Sequence, residues 1–220
     1  MSNILTIGLL SEGKTDDRFL LPIIQRTCEE IAFECASEIE IYPPVSINKS
    51  GGSFPTQVKN ATLKADKDGL MVLFVHADAD ASTNRDVLQY KIQPAFKAAK
   101  ALGVNNCKCF VAVIPIYMTE AWMLADFELL REELGTSLLK SELGLQRSPE
   151  SLTNPKEALI NAIAITQHNK PKRRRNQLTI SDLYRPVGQG TEISKLRELS
   201  SYRHFEEGLR QAFRDLNYLH

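Results

Sequence analysis

The sequence predicts a three-layer α/β sandwich built on a mainly parallel four-stranded sheet, with a helical extension behind it. Three observations carry this. Over the first 135 residues, short apolar runs that suit strands alternate with longer stretches that suit helices, and strands separated by helices imply parallel β-α-β units. The run LMVLFVHADAD (70–80) is the most apolar of these, as expected of a central strand buried on both faces. After residue 135 no segment has strand character, which divides the chain into an α/β core (1–135) and a helical extension (136–220).

Each element follows in order. NILTIGLL (3–10) is an apolar run that stops at Ser11, Glu12 and Gly13. TDDRFLLPIIQRTCEEIAFEC then reads as a helix, with Thr15 as N-cap and Asp16 and Asp17 in the first turn, where the helix dipole favours acids. EIEIYPPVSI is a second strand, set near an edge by Pro43 and Pro44. The loop NKSGGS leads into a helix over 54–66, and the apolar run at 70–80 is the third strand. STNRDVLQYKIQPAFKAAKALG is a helix closed by Gly103, and KCFVAVIPIY is the fourth strand. TEAWMLADFELLREELG is a helix from Thr119 as N-cap to Gly135 as C-cap. In the extension, NPKEALINAIAITQH opens with Asn154 as N-cap, Pro155 at the first helical position and Glu157 three residues after the cap. The basic loop KPKRRR follows, and SYRHFEEGLRQAFRDL is the last helix.

Composition narrows the class. Hydrophobic residues make up 43% of the 220, enough for a real core. No run approaches the roughly 18 apolar residues of a membrane span. The start has no basic n-region and no small-residue cleavage site, so the chain reads as cytoplasmic, with no membrane role. The four cysteines form no C-x-x-C pair and read as core thiols rather than zinc ligands. Charge balances overall but not locally. Residues 1–150 carry 15 Lys/Arg against 20 Asp/Glu, and residues 151–220 carry 12 against 7. An acidic front with a basic back suits a metal site joined to an anion-binding surface.

Topology brings the acids together. In a parallel sheet all strand carboxyl ends lie on one edge, where ligands bind. Glu12 follows the first strand, Asp78 and Asp80 close the third, and Glu120 follows the fourth. In an extended chain Asp78 and Asp80 face the same side, roughly 7 Å apart. Neighbouring carboxylates repel one another, and a hard cation such as Mg²⁺ or Mn²⁺ is the natural compensation. Two such ions about 4 Å apart would serve phosphodiester cleavage. Lys14, at a helix N-terminus beside Glu12, is placed to hold a phosphate or the transition-state charge, and Lys49, beside Gly51 and Gly52, to reach a backbone phosphate. Lys170, Lys172, Arg173, Arg174 and Arg175 form a basic patch suited to nucleic acid. Tyr184, Arg185 and Tyr202 could add stacking on single strands. His76 and Trp122 read as packed core residues.

Glu12-Gly13 after a first strand and Asp78-Ala79-Asp80 after a later one resemble the Toprim fold, the catalytic domain of topoisomerases, bacterial primases and OLD-type nucleases. EGKTD at 12–16 and EAWMLAD at 120–126 are similar to motifs of small stand-alone bacterial Toprim-like proteins, which carry EGKTE and an EAWLLAD-like helix. The likeness covers about residues 3–135. It implies that Glu12 is a general acid/base or metal ligand, that Asp78 and Asp80 hold Mg²⁺, and that nucleic acid is a common substrate. Family company adds mobile-element or phage-defence systems and a protein partner such as an ATPase. Two departures stand out: Asp16 replaces a glutamate, and a glycine common shortly after the second aspartate is missing from DADASTNRD.

Three other readings stay open. Residues 8–15 spell G-x-x-x-x-G-K-T, a P-loop signature, although Leu9 and Leu10 would then occupy the phosphate loop and Glu12 would stand beside the phosphates. Asp78-x-Asp80-x-Ser82 imitates a phosphoaspartyl nucleophile. A non-catalytic nucleic-acid or protein-binding module would leave the acids as helix caps.

Overall fold

The computed structural model describes residues 3–168 and 178–219, and it is a three-layer α/β sandwich. β1 (Asn3–Leu5) and β2 (Ile7–Leu10) are one apolar run interrupted only at Thr6. β3 (Ile39–Ile41) pairs with β1, and β4 (Val45–Ser46) pairs with β2. The gap between β3 and β4 holds Pro43 and Pro44, which have no amide to give to a ladder. β5 (Val72–His76) and β6 (Cys109–Val113) complete a parallel four-stranded sheet in the order β4-β2-β5-β6. β5 is flanked on both sides and buried at every position, as its unbroken apolar run requires. From β2 the chain crosses to β4 on one side, then returns to β5 on the other. The junction of β2 and β5 is therefore the switch point at which such sheets open a crevice.

Alternation along β5 divides the core. Leu73 and Val75 pack with Val58 and Ala61 of α2 (Phe54–Lys67) and Ala95 of α3 (Gln93–Lys100). Val72 and Phe74 face the other layer, built from α1 (Lys14–Ala32), α4 (Glu120–Met123), α5 (Phe127–Glu133), α6 (Pro155–His168), α7 (Ile180–Gly190), α8 (Ile193–Leu196) and α9 (Ser200–Asp215). The Phe74 and Phe205 rings lie 6.0 Å apart, and the buried Trp122 donates its indole N–H to Ser201 Oγ at 2.7 Å. Each such aromatic contributes about 1.5–3 kcal/mol by leaving water. The helices after residue 135 thus share one core with the sheet.

Four local features differ from the sequence reading. The helix expected over 119–135 is two helices, because Asp126 adopts extended backbone and caps α5 by accepting from the Leu129 amide at 3.2 Å. Thr15 is not a cap: α1 begins at Lys14 with Gly13 in the cap position. The helix expected over 82–103 opens as a π-helical turn, Val87–Ile92, in which the Gln93 amide reaches back five residues to the Leu88 carbonyl. Pro94 has no N–H to offer the Tyr90 carbonyl, which favours the wider register. Finally, α7 and α8 are not among the elements the sequence reading names, and α7 is helical despite Pro186, Gly188 and Gly190. The glycine has a packing reason. A Cβ on Gly188 would stand 2.6 Å from the Phe19 carbonyl oxygen, so α7 can approach α1 only with glycine there.

The cysteines are free thiols. Burial pushes the Cys28 thiol far up and Cys107 up to about 12, as befits core residues. No helix among the described residues is long and apolar enough to cross a membrane.

Candidate active site

The carboxyl end of β2 settles the geometry of the first motif. Gly8, Leu9 and Leu10 lie in the ladder, with Gly8 opposite Val45 and Leu73 and Leu10 opposite Val75. Only Ser11, Glu12 and Gly13 remain between strand and helix, so residues 8–10 are not available as a phosphate loop. Gly8 is there for close packing: a Cβ would meet Leu70 Cδ1 at 2.8 Å and Ile47 Cδ1 at 2.9 Å.

One flank of the crevice gathers carboxylates. Asp78 Oδ1 accepts from the Thr119 amide at 2.9 Å and faces His76 Nε2 at 3.2 Å. Glu120, almost fully buried at the start of α4, accepts from the Tyr184 hydroxyl of α7, and its Oε1 lies 3.4 Å from Lys156 Nζ of α6. Asp16, on the first turn of α1, is partly buried between them. Burial, and then the charges of Asp78 and Glu120, push its carboxyl above the ordinary range, against the opposing pull of His76 and the Thr119 hydroxyl. Burial, and then the Glu120 contact, push the Tyr184 hydroxyl up in turn, so it stays a donor.

His76 joins this flank to the other. Its ring is buried, with Nδ1 3.4 Å from the Glu12 amide nitrogen and Nε2 facing Asp78 and the Thr119 hydroxyl. The Glu12 carboxylate is exposed and pairs with Lys91 Nζ at 3.1 Å, while Lys49 Nζ reaches the Glu12 carbonyl oxygen, also at 3.1 Å. Lys91 in addition lies over the Phe54 ring. Lys14 is the exposed first residue of α1.

Asp78, Glu120 and, through His76, Glu12 are thus brought to one crevice. The Asp80 backbone is left-handed, with φ 51°, and its amide donates to Tyr117, itself at φ 59°. The extended backbone thus ends at Ala79. Tyr184 and Tyr202 are buried, so neither can stack on a base; Arg185 is exposed. Lys170, Lys172, Arg173, Arg174 and Arg175 lie outside the described residues. Sequence reasoning missed Asp16, Thr119, Lys156, Tyr184 and Lys91 as parts of the site. Asp16 had a signal in EGKTD, at the position where similar motifs carry an acid.

Residues 11–208 match the family model described as a domain of unknown function, DUF4276. The chain belongs to the DUF4276 family. No curated protein and no solved structure matches it. The DUF4276 match begins one residue before Glu12 and takes in Asp16, Asp78, Glu120, Lys156 and Tyr184. The helices between residues 135 and 208 therefore belong to the same family unit as β4, β5 and β6.

Among the described residues of this DUF4276 chain, no three His, Cys, Asp or Glu side chains form a ready metal cage. The donor chemistry is nonetheless that of a hard cation site. Asp78 engages protein donors through Oδ1 and Glu120 through Oε1, leaving the second oxygen of each to a ligand. Mg²⁺ is commonly held by one or two carboxylates with water and substrate phosphate supplying the rest, so the residues present fit it.

Proposed function

We propose that this crevice hydrolyses phosphodiester bonds of nucleic acid with the help of Mg²⁺ or Mn²⁺. The observation that carries the reading is that the Thr119 amide, adjacent to Glu120 after β6, bonds Asp78 after β5, with the partly buried Asp16 of α1 electrostatically coupled to both acids. Carboxylates gathered under partial burial repel one another, and a divalent cation held by Asp78 and Glu120 relieves that cost. When bound, the ion supplies Lewis-acid stabilisation of charge on the phosphoryl oxygens.

The chain's own groups do the rest. Glu12 is exposed at the mouth of the crevice and takes the proton of the attacking water. The water oxygen forms its bond to phosphorus as the bond to the leaving oxygen breaks, and solvent protonates the leaving group. Lys14 and Lys49 face the phosphate and offset its growing charge. His76 and the Thr119 amide fix the orientation of Asp78, and Tyr184 fixes that of Glu120. The Toprim resemblance of Glu12-Gly13 and Asp78-Ala79-Asp80 supports the same chemistry. It also suggests a mobile-element or phage-defence setting, with a protein partner such as an ATPase. The strand geometry of residues 8–10 disfavours the P-loop reading.

The test is cleavage of labelled single- and double-stranded DNA and RNA with Mg²⁺, Mn²⁺ or EDTA. Cleavage that requires the metal and is lost in Asp78→Asn supports the reading. Equal cleavage by Asp78→Asn contradicts it, and no cleavage of any of these substrates removes nucleic acid as the substrate class.

A further inference from the structure

Lys91 lies at the mouth of the crevice, and no sequence pattern marks it. Its Nζ stands 3.1 Å from Glu12 Oε1 and 4.9 Å from the centre of the Phe54 ring. Lys49 Nζ stands 3.1 Å from the carbonyl oxygen of the same glutamate. Two ammonium groups, one from the loop after β4 and one from the π-helical turn, thus converge on a residue that supplies one carboxylate. We infer, resting on the phosphodiesterase reading, that Lys91 is a binding residue for the substrate phosphodiester and that the Glu12 carboxylate occupies its place until substrate arrives.

Three features support the exchange. The Lys91 and Glu12 side chains are 37% and 36% exposed, and an ion pair so open to water is weak, so an incoming phosphate anion can replace the carboxylate readily. Once Lys91 turns to phosphate, Oε1 is released from its ammonium partner and can accept from the attacking water. The π-helical turn that carries Lys91 is a rare structure associated with functional positions. One extra residue in the turn rotates the residues on its N-terminal side by about 100° relative to an α-helical path. Substrate would then activate its own base: phosphate binding at Lys91 and release of Glu12 are one event.

A double-mutant cycle on binding, in EDTA so that no cleavage intervenes, tests this. Fluorescence anisotropy reads the affinity of short labelled oligodeoxynucleotides and oligoribonucleotides for wild type, Lys91→Gln, Glu12→Gln and the double variant. Lys91→Gln should weaken binding and flatten the salt dependence by about 0.7 of a logarithmic unit, one phosphate contact on a single strand. Glu12→Gln should bind tighter than wild type by up to about fivefold, the worth of an exposed ion pair. In the Lys91→Gln background that gain should fall to the small general effect of removing one negative charge. An equal gain with and without Lys91 overturns the inference and leaves the phosphodiesterase reading standing. If wild type binds neither oligonucleotide, both fall together.

Discussion

On one side of the His76 ring, Asp16, Asp78 and Glu120 sit under partial or nearly full cover, and Asp78 and Glu120 are oriented by Thr119 and Tyr184. On the other side Glu12 is exposed and is answered by Lys91, with Lys49 on its carbonyl. The covered carboxylates are coupled to the packing of α1, α4 and α7, so changes there alter stability and proton affinity. Among the described residues the Glu12 carboxylate pairs with the half-exposed Lys91, so a change of that carboxylate should alter stability little. Under the proposed hydrolysis, this division separates holding a cation from moving a proton.

The largest effect should come from the exposed side. Glu12→Gln is expected to lower metal-dependent cleavage by about 10²–10⁴-fold, the usual contribution of a general base. Its unfolding free energy should shift by no more than about 1 kcal/mol, because an exposed pair contributes little. A large loss of stability in urea unfolding would break the contrast between the two sides.

Gly188→Ala attacks the covered side from a distance. The new methyl would collide with the Phe19 backbone, which has no rotamer to yield, and should cost about 2–3 kcal/mol in urea unfolding. Because α7 also carries Tyr184, cleavage should fall although no catalytic group has been changed. Tyr184→Phe removes only the hydroxyl from Glu120. Leaving a buried acceptor short of a donor should cost about 1–3 kcal/mol, and Lys156 keeps the loss toward the lower end.

Asp16→Asn sharpens the comparison most finely. A carboxyl with a raised folded-state pKa favours folding fully while it is protonated in both states. That contribution is lost as pH rises from the ordinary carboxylate range through the raised value. The metal-free variant should therefore melt at a higher temperature than wild type at neutral pH and at the same temperature in strong acid. A lower melting temperature at neutral pH would mean that Asp16 is stabilising where it stands.

What the sequence showed and what it hid follow from the range of the forces involved. Glu12, Asp78 and Glu120 were legible because apolar runs identify strands, and parallel topology then fixes which ends share an edge. Asp16 was read only as a helix-dipole acid, since a first-turn aspartate satisfies that role wherever its side chain goes. Tyr184 was hidden because Pro186, Gly188 and Gly190 suppress the helical signal; the contact that requires Gly188 is with Phe19, far away in sequence. A capping box was readable, with the Thr179 amide donating to Asp182 at 2.8 Å, and it marked the start of α7. The left-handed backbone of Asp80 was not legible, because the two-residue alternation of an extended chain carries no signal for a single positive φ.

The central claim is that the covered carboxylates hold a divalent cation, and Mn²⁺ titration followed by electron paramagnetic resonance tests it most directly. Wild type should bind Mn²⁺, and Glu12→Gln should bind it equally well. Asp78→Asn should bind at least about tenfold more weakly, the smallest loss usual when even an outer partner of a metal ligand is removed. Binding of Mn²⁺ by Asp78→Asn with wild-type affinity would contradict the account.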